Sequence, residues 1–149
     1  MFILLLYLAM WNIVGIRWNL ANKQTAMETS AFFASESLLA TPGEPESWEM
    51  LPQIDGEVKA IGLVNGRNEL NRLKIEKLVA ENATAYSTVK DRLGMQKYEF
   101  AMRITDITGN IIHYEFGNFE VALNNSLNFD RLAILDGEPV IVHMEVWGG

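Results

Sequence analysis

Two histidines, His113 and His143, are the only imidazoles in the 149-residue chain, and each sits in a stretch that alternates apolar and polar residues with a glutamate two positions on, Glu115 and Glu145. If their strands are neighbours, imidazole and carboxylate together make a competent metal site. If they are not, both rings are solvated side chains on an exposed sheet face. No H-E-x-x-H pattern, glycine-rich phosphate loop, G-x-S-x-G elbow or S-x-x-K is present. The carboxylate pair Glu44 and Glu46 lies in a proline-rich stretch and reads as surface charge. With no cysteine, disulfides, thiolate metal sites and a cysteine nucleophile are excluded. The residues therefore point away from an enzyme, and to no cofactor and no resident metal. Two further tripeptides carry modification chemistry: Asn82-Ala83-Thr84 and Asn124-Asn125-Ser126 are glycosylation sequons, which also arise by chance.

The elements that position these residues begin with an anomaly. Met1 to Ile16 contains no charged side chain, and the run ends at Arg17. A secretory signal needs a basic start and a small-residue cleavage site, and neither is present. A membrane span needs about 20 apolar residues, so the run is marginal as a lone span. The following stretch, through Ala40, lacks Gly and Pro and returns apolar residues (Leu20, Met27, Phe32 or Phe33, Leu38 or Leu39) at helical spacing. One helix from near Met1 to about Ala40 is expected, on the order of 60 Å long. Its first half is apolar all round, and a domain of this size cannot bury it alone. Lipid or identical copies must cover it.

The net charge of −7 falls almost wholly after residue 27. Phosphate binding needs clustered Lys and Arg, so nucleic acid is excluded as a partner. Residues 42–67 carry three of the four prolines together with Trp48 and Met50, and read as an ordered linker that folds back. The chain thus divides into a helix at 1–41 and a globular head at 42–149. A helical period returns after Asn68, with Asn71 as N-cap, a break near Glu81 to Thr84 and Gly94 as the closing glycine. From Tyr98 the period is two, in four or five short strands joined by tight connections, which implies an antiparallel sheet. The expected fold class is α+β: a long N-terminal hydrophobic helix, then a small head with one or two short helices and a four- to five-stranded antiparallel sheet.

In this order the motifs resemble archaeal type IV pilin-like proteins, the class made with a class III signal peptide. The resemblance rests on the apolar helix, the T-P-G-x-P-x-x-W turn (Thr41, Pro42, Gly43, Pro45, Trp48), the I-G-L element (Ile61, Gly62, Leu63), and Y-x-x-V-K-x-x-L-G leading into Y-x-F (Tyr86, Val89, Lys90, Leu93, Gly94, Tyr98, Phe100). It touches most of the chain, and none of its motifs is catalytic. The family implies a basic leader cut before the helix and, in many members, a glutamate at the fifth mature position, where Leu5 stands here. It implies an extracellular filament of identical subunits, inserted in the cytoplasmic membrane before assembly by secretion machinery. The polymerisation core would be Phe2, Leu5, Leu6, Leu8, Trp11, Asn12, Ile13, Ile16 and Leu20. Asn12 either fixes register between neighbouring helices or is a solvent-facing amide. Asn82 and Asn124 would carry sugars on the outer wall. The alternative is a membrane-anchored minor pilin-like protein or binding module that displays its head without forming the bulk polymer.

Overall fold

The computed structural model describes the backbone of residues 2–66, 68–119 and 126–148, and side chains from residue 21 onward. Helix α1 (Phe2–Ala40) leads into a ribbon of β1 (Gly43–Glu44) and β2 (Ala60–Ile61), with a 3-10 turn at Trp48–Met50 between them. Then come β3 (Val64–Gly66), β4 (Glu69–Leu70), α2 (Arg72–Ala80), α3 (Asn82–Arg92), β5 (Tyr98–Asp106), β6 (Ile112–Phe116), β7 (Leu127–Leu135) and β8 (Glu138–Gly148). The main sheet has six strands in the order β3-β4-β7-β8-β5-β6.

Two parts of the expected fold class are corrected. The sheet is not a four- to five-stranded antiparallel one: β3 and β4 extend it, and β4 runs parallel to β7, pairing Glu69 with Ile134 and Leu70 with Leu135. Both strands are too short and too rich in Gly, Asn and charge to carry a period of two, so their pairing is set by tertiary context. Nor is a long N-terminal hydrophobic helix shown. The described side chains of α1, residues 21–40, form an amphipathic helix whose exposed positions include Asn22, Lys23, Gln24, Thr25 and Glu28. Among the described residues no helix is long and apolar enough to cross a membrane. The apolar side chains on which the expectation rested, Phe2, Leu5, Leu6, Leu8, Trp11, Asn12, Ile13, Ile16 and Leu20, lie outside the described residues.

One face of the sheet is the core. Phe100, Met102 and Ile104 of β5 alternate inward beside Phe116 of β6 and Val140, Val142, Met144 and Val146 of β8. Against them pack Met27, Ala31, Ala34, Leu38 and Leu39 of α1 together with Ile75, Leu78, Ala85 and Val89 of α2 and α3. The small residues Ala31, Ala34 and Ser35 let α1 approach β7 and β8 closely. Asn71 caps α2 by accepting the Leu73 N–H at 2.8 Å, Glu81 separates the two helices, and Gly94, at φ +71°, closes α3. The β7–β8 hairpin turns on Asp136 and Gly137, both at positive φ, the combination a two-residue type I′ turn requires.

Candidate functional site: the helix junction and the outer face of the sheet

The T-P-G-x-P-x-x-W and I-G-L stretches, about twenty residues apart in sequence, meet at the end of α1. Gly43 pairs with Ile61 and Glu44 with Ala60. Trp48 is fully buried, and its indole N–H donates to the Gly62 carbonyl at 3.0 Å. Gly62 is a glycine by steric necessity, since a Cβ there would fall 1.9 Å from the Thr41 carbonyl oxygen. Gly43 sits at φ +89° with the Trp48 ring across it. The Leu63 N–H donates to the Leu38 carbonyl, and the Ser37 hydroxyl donates to the Ile61 carbonyl. The last turn of α1 is thus stitched to the segment around β2 by its otherwise orphaned Leu38 carbonyl and by the Ser37 hydroxyl.

Beneath this junction lies Lys74, 1% exposed, a residue the sequence did not mark out. Its ammonium donates to the Pro42 carbonyl at 2.7 Å and, at 3.4 Å, to that of Val64. Burial pushes its amine below the ordinary lysine value, while Glu49 and Glu46 pull the other way. Lys74 therefore ties α2 to both ends of the segment leaving α1. The only sequence signal was a lysine flanked by the apolar Leu73 and Ile75.

The opposite face of the sheet is laid out in rows, with Gly117 packed on Ala101 and the Phe119 ring over Arg103. Leu132, Ile141, Thr105 and Ile112 are in register across β7, β8, β5 and β6, and Asp130, His143, Arg103 and Glu115 form the next row. Asp130 Oδ1 lies 2.7 Å from His143 Nδ1, and His143 Nε2 lies 3.0 Å from the Thr105 hydroxyl. Carboxylate, imidazole and hydroxyl in series are the components of acyl-transfer sites. Here Thr105 is 2% exposed and its hydroxyl also reaches the Asp106 carbonyl, so the chain of contacts staples three strands and offers a substrate no approach.

The two histidines are not on adjacent strands. β5 runs between them, with Arg103 in register with both Glu115 and His143, and its guanidinium bonds Glu115 at 2.9 Å and covers the Phe119 ring. A cation in register with His143 and Glu115 opposes a metal held by that pair, and among the described residues no cluster of three or more possible ligands occurs. Asn82, the first residue of α3, accepts the Gly117 N–H at 3.0 Å and lines a cleft of about 420 Å³ with Tyr86, Glu99 and Trp147. Asn124 lies outside the described residues.

Tyr86 is stacked on Phe100 at 5.7 Å, and its hydroxyl meets the Glu99 carboxylate and the Phe100 backbone. Burial pushes its phenol up to about 12, with the Phe100 backbone hydrogen bond pulling the other way and Glu99 adding to the rise. Burial alone would raise the Glu99 carboxyl, but hydrogen bonds from Lys90 and Tyr86 outweigh it and hold that group below the usual range.

No family model matches the chain, and neither a curated protein nor a solved structure is significantly similar to it.

Proposed function

We propose that the chain is a structural subunit of an extracellular type IV pilus-like filament, polymerising through its apolar N-terminal segment with the head on the outside. What carries the reading is the uncharged run Met1–Ile16 joined without a flexible linker to a head in which α1 is embedded from Met27 to Leu39. A force or a packing preference acting on the segment passes directly into the head. Burying a Leu or Phe side chain is worth roughly 1.5 to 3 kcal/mol, so a dozen such residues supply on the order of 20 kcal/mol per subunit before ordering costs. Lipid satisfies the same side chains nearly as well. The subunit therefore waits in a membrane, and assembly machinery extracts it into a homopolymer. Neither a cofactor nor nucleic acid enters this reading. Sugars on Asn82 and Asn124 would coat the outer wall.

Shearing cells and sedimenting extracellular filaments tests it. The chain is expected as the dominant band, and Leu6→Glu or Leu8→Glu should remove it from that pellet while leaving the head folded by circular dichroism. Recovery only in the membrane fraction would replace the filament with a membrane-anchored display module.

A further inference from the structure

Among the described residues the sheet has two open edges. β7 pairs with β4 only at Ile134 and Leu135, so among the described residues Leu127–Ala133 has no strand on its outer side. On the far side of the sheet the outer edge of β6 also lacks a strand among the described residues. Such edges present a row of backbone donors and acceptors and template pairing with another chain unless they are blunted. This β7 edge is long, contains no proline, and carries Leu132 at 69% exposure.

Topology says what fits. β7, β8, β5 and β6 alternate in direction, each antiparallel to the next, so β6 runs antiparallel to β7. A second copy displaced sideways therefore brings its β7 against the first copy's β6 in the antiparallel sense, and the sheet continues. The contact uses two different edges, so it does not close on itself and repeats as an open helical array.

Charge selects the register. Glu115 opposite Asp130 of the next copy would set two carboxylates face to face, which is destabilising. Two residues along, His113 faces Asp130 and Glu115 faces Asn128, which removes the clash of carboxylates. We propose that β6 of each subunit pairs in this register with the free edge of β7 in its neighbour, so that heads are joined by a continuous intersubunit sheet. This rests on the filament reading and adds the head contact that sets subunit order.

The absence of native cysteine makes the test direct. Full-length Glu115→Cys and Asn128→Cys chains are co-assembled and oxidised with copper phenanthroline. A Glu115→Cys with Asp130→Cys mixture covers the neighbouring register, and a Lys97→Cys with Asn128→Cys mixture is the control. Disulfide-linked dimers should form at least tenfold faster in the Glu115→Cys with Asn128→Cys mixture than in either of the others, and the Glu115→Cys/Asn128→Cys double variant should give a ladder; faster crosslinking of the Glu115→Cys with Asp130→Cys mixture instead overturns the register. Amides of Asn128, Asp130 and Leu132, which share the outward direction of the Ile134 N–H, should exchange at least tenfold more slowly in filaments than in the detergent-dispersed chain. Sedimenting filaments in which both mixtures crosslink at the control rate overturn the edge contact alone, as does protection already complete in the dispersed chain. No sedimenting material at all overturns the filament reading and the edge contact with it.

Discussion

The junction at the end of α1 and the outer face of the sheet are both polar networks, yet they are built on opposite principles. At the junction the partners are backbone carbonyls, an indole N–H and a buried ammonium, packed where a single Cβ has no room. On the sheet they are exposed side chains reaching one another across strands, as in the Arg103–Glu115 and His143–Asp130 pairs. A buried donor that loses its partner leaves a desolvated group with nothing to replace it. An exposed ion pair that loses a member is re-solvated. The comparison teaches that this molecule concentrates its stability where the helix joins the head and leaves the sheet face free to be adapted to contacts.

The largest effects should therefore fall at Trp48 and Gly62. Trp48→Ala opens a cavity in place of the largest fully buried side chain among the described residues and leaves the Gly62 carbonyl without its donor. A loss of roughly 3 to 5 kcal/mol is expected. Gly62→Ala forces the ribbon away from Thr41 and should cost about 3 kcal/mol, at the upper end for overpacking. Guanidinium unfolding of the full chain in detergent measures both. Losses under about 1 kcal/mol in both variants would dissolve the contrast between the two regions.

Tyr86 lies between the extremes, half-buried and bonded to a carboxylate. Its folded-state value is raised to about 12 from the ordinary 10, so the unfolded chain loses its proton first. Stability from this group is complete below pH 10 and is lost as the pH rises from 10 toward 12. Tyr86→Phe should flatten that alkaline limb and, by removing the acceptor of the Phe100 N–H, cost roughly 1 to 2 kcal/mol at neutral pH. Unfolding midpoints at pH 8, 10 and 11 separate the two contributions.

What the sequence disclosed follows the same division. Asn71, the break at Glu81 and Gly94 were legible because caps and αL glycines act within a few residues of themselves. The inward set Phe100, Met102 and Ile104 was legible because burial on one face imposes a period of two. β3 and β4 were not, since two or three residues of mixed polarity pair only because β7 is already in place. Lys74 was hidden because a lysine has no local reason to point inward, and its reason lies at Pro42, thirty-two residues away. The two histidines were read as possible neighbours because alternation fixes the face of a strand and says nothing of strand order. Only the pairing of β5 between β6 and β8 settles that. The N-terminal apolar run suggests a long hydrophobic helix by composition alone, whereas the described half of α1 is amphipathic and belongs to the head's own core.

The smallest effect should come from the charged row, and its size decides how free that face is. Arg103 and Glu115 sit directly opposite on β5 and β6, with side chains 32% and 42% exposed. A double-mutant cycle with Arg103→Ala and Glu115→Ala should return a coupling of about 0.2 to 1 kcal/mol, shrinking in high salt. Arg103→Ala alone should cost somewhat more than Glu115→Ala, because the guanidinium also lies 4.2 Å from the Phe119 ring. A coupling near 3 kcal/mol would mean that the row behaves like the buried junction. The sheet face would then be a rigid structural element, its charges no longer at liberty to be tuned for an approaching surface.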